Sequence, residues 1–388
     1  MSAELPARNE TPLSILHVYK DYAPVLGGIE NHVRDLAEAQ ACAGHRVTVL
    51  VASRTRRHED AILAGVRVVR VARWGTVAST PLAPGFLRWL PRLDADIVHL
   101  HFPHPPGEVA WLLRGAGRPA VVTYHSDIVR QRVIGALYRP LLAHVLDRAA
   151  AIIANSPPYV DSSPELRRRR AQCTAVPLGV DLGRFAGGAA AAAAVRERLL
   201  PGAGSRPVLL FVGRLRYYKG LDVLLHALKR LPEAVLLVVG DGPMRTEWET
   251  LARRLHAPDR VVFAGDVDAE ELPACYRLAD VFVLPSTLRA EAFGTVLVEA
   301  MAAGVPLVST ELATGTSWVN RHGETGLVVP PSDPDALAAA ITALLRDPEQ
   351  RRRMGAAGRE RARAEFSLQA MVTGVERVYR RVLSRPSP

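Results

Sequence analysis

Glu291 and Glu299 stand either side of a seven-residue stretch that includes Phe293-Gly294-Thr295. The apolar run DVFVLPS (280–286) ahead of them reads as a strand. Thr295 to Ala303 reads as a helix closed by Gly304 and Pro306. Gly294 permits close approach to the main chain, and the unpaired N–H groups of a helix start suit a diphosphate or a sugar hydroxyl. One glutamate in the loop and one about a turn inside the helix make two acceptors at different depths. Taken alone, the pair equally fits a solvated loop residue and a helix-surface residue.

A second set of charges lies in FVGRLRYYKGLDVLLHAL (211–228), where the strand pattern ends at Gly213 and Arg214 and Lys219 follow in the loop before a helix. Fixed cations stabilise the negative charge that builds on a departing diphosphate, and removing one such contact typically costs about 2.7–4 kcal/mol. Arg214 offers a planar fork and Lys219 a point charge, so the two need not do the same work. In isolation both also read as solvated cations.

Nearer the N-terminus, Gly27-Gly28 separates a strand pattern from a helix pattern, which fits either a ligand-approach loop or a tight turn. His125 follows the strand pattern AVVTY (120–124). His99 and His101 share a face of DIVHLH (96–101), with His104 just beyond. Packing accounts for His99, and contact with an acceptor molecule is the expectation for His101 and His104. No metal site is expected. Asp94-Ala95-Asp96 has the superficial look of one, but it directly precedes a strand, where aspartates mark turns. Cys42, Cys173 and Cys275 form no zinc-spaced pair and read as reduced thiols.

The elements that must position these residues alternate along the chain. Strand patterns at 13–19, 46–52, 66–72, 96–101, 120–125 and 151–156 are interleaved with segments apolar at 3–4 spacing, the mark of βαβ units. A Gly- and Ala-rich stretch follows, and then six more strand patterns at 207–213, 234–242, 260–265, 280–286, 305–310 and 325–330. The 388 residues fit about two domains of ordinary size. The expectation is α/β: a first domain over 1–182, a linker over 183–206, a second domain over 207–366 and a C-terminal helix over 367–388. Two doubly wound sheets facing one another leave a central cleft at the carboxyl ends of their strands, where such folds bind ligands.

The formal charge is +10, largely through arginine. That favours anionic partners in general, but no zinc-finger spacing, aromatic–basic signature or basic-region helix is present, so nucleic acid is not expected. Contact with an anionic membrane and the arginine bias of a GC-rich genome both account for the surplus, and the sequence leaves the two open; the run Arg167 to Arg170 reads as a solvated face, with membrane or phospho-acceptor contact as the alternative. No apolar run approaches the roughly 20 residues of a membrane span. The polar start MSAELPARNETP lacks the order of a secretory signal, so a cytoplasmic protein, at most peripheral on the inner membrane face, is expected.

The segment 288–310, with its Phe-Gly core and following Glu-Ala-x-Ala-x-Gly-x-Pro, resembles the hallmark of the retaining glycosyltransferase family 4 (the group 1 transferases), whose fold is called GT-B. The likeness runs along nearly the whole chain. It implies that Glu291 contacts the donor sugar, that Glu299 holds the nucleotide ribose, and that Arg214 and Lys219 clamp the diphosphate without a metal ion or other cofactor. It further places Phe293, Gly294, Thr295, Gly28, Gly242 of the Gly240-Asp241-Gly242-Pro243 turn, and Val267 of AGDVDAEEL (264–272) around the donor. His125 is assigned to the sugar's outer hydroxyls. STELATGTSWVNRHGETGLVVPP (309–331), YHSDIVRQ (124–131) and YRPLL (138–142) look like bacterial mannosyl- and rhamnosyl-transferases of polysaccharide assembly. The resemblance thus implies transfer of a hexose from a nucleotide-sugar to a glycan or lipid-linked acceptor, with GDP-mannose favoured over UDP-sugars. A nucleotide-sugar epimerase and a non-catalytic nucleotide-sugar binder share the architecture and stay as alternatives. No carboxylate pair is nominated for a double displacement, which favours a front-face route in which the departing diphosphate takes the acceptor's proton.

Overall fold

The computed structural model describes residues 11–385, apart from 26, 78–79, 116, 128–131, 186–188 and 256–257. The last part of the YHSDIVRQ motif and the glycines at 187 and 188 therefore lie outside the described residues. The chain divides into two units, Met1–Gly179 with Leu368–Pro388, and Val180–Ser367.

The first unit is built on β1 (Ser14–Val18), β2 (Arg46–Ala52), β3 (Glu59–Leu63), β4 (Val66–Val71), the small hairpin β5 (Gly75–Val77) and β6 (Thr80–Leu82), β7 (Ile97–Phe102), β8 (Ala120–Tyr124), β9 (Ala151–Ala154) and β10 (Cys173–Ala175). Its main sheet runs β10-β9-β8-β7-β1-β2-β4-β3, parallel except for the antiparallel edge β3. Strands β1, β7, β8 and β9 are buried along their whole length, as expected of a sheet covered on both faces. The edge strand β3 is exposed throughout and carries no apolar pattern, which is why periodicity does not find it. The helix Leu368–Leu383 belongs to this unit. Its buried stripe Met371, Val372, Val375, Val378, Tyr379 and Val382 joins the core of Ile15, Val33, Leu36, Val49 and Ile97.

The second unit carries β11 (Val208–Val212), β12 (Val235–Val239), β13 (Val261–Gly265), β14 (Val281–Leu284), β15 (Leu307–Thr310) and β16 (Gly326–Val329), all parallel in the order β13-β12-β11-β14-β15-β16. Val180 pairs with Ser367, so the chain enters and leaves this unit side by side. The expected linker 183–206 is not a free connection. It holds the helix Ala189–Leu199, whose Val195 is buried and whose Arg198 pairs with Glu271 of the same unit. Alanine-rich composition reads as a break, yet alanine is the best helix former and packs closely.

The two units share one detail that explains the suspected metal motif. Asp96 Oδ2 accepts from the Ser14 amide at 2.6 Å, and the Asp96 amide donates to the Ser14 carbonyl. Asp280 does the same for Val208, at 2.9 Å. Each aspartate ties the start of the central strand to its neighbour, and Asp94 pairs with the exposed Arg46.

Candidate active site

In the second unit the loop after β11 is drawn down by Gly220, in the left-handed region at φ 67°. A side chain there would meet the Pro285 carbonyl at 2.1 Å, so only glycine lets the loop sit against the end of β14. The Thr287 amide donates to the Tyr218 carbonyl at 2.8 Å and completes the junction. This delivers Lys219 to the loop after β14, where its Nζ lies 2.6 Å from Glu291 Oε2. Burial works against the lysine charge, but Glu291, with Tyr218 and Glu299, more than offsets it and the Lys219 pKa is raised.

Glu291 is held from three directions. Ser286 Oγ donates to its Oε2 at 3.1 Å, Thr314 Oγ1 donates to its carbonyl at 2.8 Å, and the Gly315 amide donates to the Ala292 carbonyl beside it. Ser286 and Thr314 are fully buried, and sequence reading missed both because a lone serine or threonine carries no signal. Gly294, at φ 79°, then opens the helix Thr295–Ala303, whose start has no side-chain cap. Such a start presents unpaired N–H groups. Glu299, half-buried one turn on, accepts from Tyr276 Oη at 2.6 Å. Burial and then Glu299 push the Tyr276 hydroxyl well above its usual range, so it stays a donor.

The other assigned residues of this unit fall into two groups. Arg214 is exposed and has no ion-pair or hydrogen-bond partner among the described residues, while Val267 is half-buried in the loop after β13. Phe293 and Gly242 are different. The Phe293 ring is buried and edge-on to Phe366, 5.9 Å between centroids, so only its main chain is left for a ligand. A side chain on Gly242 would lie 2.5 Å from the Leu215 carbonyl, so this glycine is needed for loop packing in its own right.

In the first unit Gly28 opens the helix Gly28–Cys42, and nothing lies within 4 Å of where its side chain would be. His125 directly follows β8 amid a cluster of imidazoles. His17 Nδ1 is 3.0 Å from His101 Nε2, and His101 Nδ1 is 3.2 Å from His125 Nε2. His99 joins Tyr379 Oη and Thr123 Oγ1, both at 2.6 Å, and is core packing. The acceptor-side expectation for His101 and His104 is corrected here: they are 1% and 2% exposed. His104 is enclosed by Tyr19 and Phe86. Strand alternation places both histidines on defined faces, but only the helices packed over them decide that those faces are sealed. Nitrogens of His17, His99 and His101, and of His32, His101 and His125, come within 4.8 Å of one another, close enough to share an ion. In the structure His17, His99, His101 and His125 are engaged with one another and with neighbouring side chains, whereas both nitrogens of His32 are without a partner. His17, His32 and Gln40 were not singled out from sequence, since one histidine on a helix or strand face reads as ordinary packing.

Of the run Arg167 to Arg170, Arg169 is consumed by Asp147 and Glu165, at 2.6 and 3.1 Å, and Arg170 by Asp161 at 2.6 Å. Half of the run is thus neutralised locally. No helix among the described residues is long and apolar enough to cross a membrane.

A parallel sheet in each unit and a loop-and-helix site at the carboxyl ends of the second unit's strands are the build of a GT-B glycosyltransferase. Sequence comparison says the same: the Glycosyltransferase Family 4 model matches residues 26–184 and the Glycosyl transferases group 1 model matches residues 200–361. The chain belongs to this glycosyltransferase family. It is 39% identical to the D-rhamnosyltransferase WbpZ of Pseudomonas aeruginosa, covering 92% of each chain. With the O-antigen chain mannosyltransferase C of Escherichia coli it shares 33% identity over 97% of this chain and 100% of the other. Among solved structures, the sucrose-phosphate synthase of Thermosynechococcus elongatus superposes with a TM-score of 0.79 at 28% identity, covering 96% and 99% of the two chains.

Proposed function

We propose that the protein transfers a hexose, with mannose from GDP-mannose as the leading donor, to a hydroxyl of a glycan or lipid-linked acceptor in cell-surface polysaccharide assembly, with retention at the anomeric carbon. The observation that carries this reading is the buried Lys219–Glu291 pair in the loop leading to an uncapped helix start. A buried charge pair contributes little net stability, so its position beside open N–H groups favours a binding role. The donor diphosphate takes the helix start together with Lys219 and Arg214, Glu291 meets the sugar, and Glu299, oriented by Tyr276, takes the ribose hydroxyls. In the first unit, Gly28 is read as a donor-binding residue and His125 as a contact to a sugar's outer hydroxyls.

Lys219, held by its buried pair, and Arg214 on the exposed loop supply the charge stabilisation that the leaving diphosphate requires, and on this reading no metal or other cofactor takes part. The diphosphate oxygen accepts the proton of the attacking hydroxyl as the new glycosidic bond forms and the old one breaks on the same face. The sugars named for the two relatives, D-rhamnose and mannose, share one ring configuration and differ at C6, which supports a manno-configured donor. Peripheral contact with an anionic membrane is compatible with the basic charge.

Calorimetric titration in EDTA with GDP, UDP, GDP-mannose and UDP-glucose tests the reading, alongside an Arg214→Ala/Lys219→Ala double variant. Binding of the guanine pair that collapses in the variant is the expected result. Binding of none of the four by folded protein overturns it, and preference for the uracil pair moves the donor to a UDP-sugar. Product analysis by NMR, showing an α-linkage from an α-donor, tests retention.

A further inference from the structure

Gln40 begins a line of buried polar groups that ends at His125. Its Oε1 lies 2.8 Å from His17 Nε2, His17 Nδ1 lies 3.0 Å from His101 Nε2, and His101 Nδ1 lies 3.2 Å from His125 Nε2. Gln40 and His17 are fully buried, and His101 and His125 nearly so. A neutral imidazole has one N–H donor and one bare acceptor nitrogen. A line of them therefore has only two self-consistent states, with every proton pointing one way or every proton pointing the other.

The orientation of Gln40 chooses between them. A carbonyl oxygen only accepts, so His17 carries its proton on Nε2 and presents a bare Nδ1. His101 must then donate from Nε2, which leaves its Nδ1 bare, and His125 must donate from Nε2 in turn. The reverse state would need the Gln40 amide nitrogen at His17. That nitrogen is instead buried beside the Tyr379 hydroxyl without a hydrogen-bond partner, while Tyr379 Oη is engaged by His99 Nδ1 at 2.6 Å. Burial, the largest influence on each, lowers His17 to about 4 and holds His101 and His125 well below their ordinary range, so the line is neutral at physiological pH. His32 stands edge-on to His101 and His125, and neither of its nitrogens has a partner, so it does not tap the line.

The far end differs from the rest. Both nitrogens of His32 and of His104 are sealed without partners, whereas His125, the last of the line, directly follows β8 and is 5% exposed. We propose that Gln40, acting through His17 and His101, fixes His125 in the Nε2–H tautomer, so that its Nδ1 meets a ligand as a bare acceptor and selects a hydroxyl that donates. Gln40, His17 and His101 are positioning residues in this arrangement; none of them needs to touch substrate. The ligand half of the inference rests on the donor-sugar reading of His125, while the tautomer half stands without it.

Long-range ¹H–¹⁵N NMR of metal-free, histidine-labelled protein at pH 7.5 reports which ring nitrogens carry protons. The expected result is Nε2–H for His17, His101 and His125. Gln40→Leu removes the anchor and should lose the single tautomer at His125, whereas Gln40→Glu, which in its ionised form can only accept, should keep it. Nδ1–H at His125 in the wild type overturns the proposal, as does an unchanged tautomer in folded Gln40→Leu. A divalent ion on the purified protein with both facing nitrogens unprotonated overturns it too. If Gln40→Leu does not fold, the wild-type spectrum alone decides. In turnover, Gln40→Leu should lose about fivefold in kcat/KM, the worth of one hydrogen bond, and Gln40→Glu should recover it. Expected tautomers in a protein that binds no nucleotide-sugar would sink the donor reading and leave the imidazole line standing.

Discussion

Lys219 Nζ and Glu291 Oε2 lie 2.6 Å apart, with both side chains about nine-tenths buried. Removing one partner of such a pair strands the other's charge and typically costs about 3–5 kcal/mol, whereas replacing both by apolar groups is often neutral. Glu291→Leu and Lys219→Met should therefore each destabilise the protein in urea unfolding. The double variant should recover most of that loss while staying inactive. Recovery of activity along with stability would show the pair to be structural only.

Arg214 should behave in the opposite way. An exposed side chain without partners contributes within about 0.5 kcal/mol to stability. As a clamp on a leaving diphosphate it is worth about 10²–10³ in kcat. Arg214→Ala should melt like the wild type and turn over its donor that much more slowly, as read by nucleotide-release assay.

Tyr276→Phe deletes one hydroxyl from the core and one hydrogen bond from Glu299. A hydrogen bond to a charged group is worth about 1.5–3 kcal/mol. If Glu299 holds the ribose, the variant raises donor KM about tenfold and changes kcat little. An unchanged KM would detach Glu299 from nucleotide binding.

The imidazole cluster predicts a stability that depends on pH. Burial lowers His17 from 6.5 to about 4 and His32 to about 3. Between those values and 6.5 the unfolded chain binds more protons than the folded one, so stability is full above about pH 6.5 and falls as the pH drops toward 4. Melting temperature should decline over pH 6.5 to 5. His32→Leu, lacking one such proton, should show a slope shallower by about one proton per molecule.

Much of this was legible without coordinates. All twelve strand patterns became strands, because a sheet covered on both faces needs near-continuous apolar runs that stand out from their surroundings. Glu291, Glu299, Arg214 and Lys219 stood out through the likeness of 211–228 and 288–310 to the motifs of a known family; by themselves they also read as solvated charges. The exposed edge β3 and the short strand β10 have no such pattern, and the alanine run at 189–199, readable as a short helix, passed for part of a linker because glycines flank it.

What the sequence determined by itself was the order of elements, two parallel sheets, and the residue types set at the carboxyl ends of their strands, since all of these follow from local periodicity and chain connectivity. Tertiary structure alone decided which groups hold the others. Tyr276 reaches Glu299 and Ser286 and Thr314 hold Glu291 because strands and helices distant in sequence pack together. The same packing seals His101 and His104, turns the Phe293 ring into the core, and lines up Gln40, His17, His101 and His125 across three strands and a helix. A hydrogen bond is made at about 3 Å, and no spacing along a chain fixes a distance that only the folding of separate segments against each other creates.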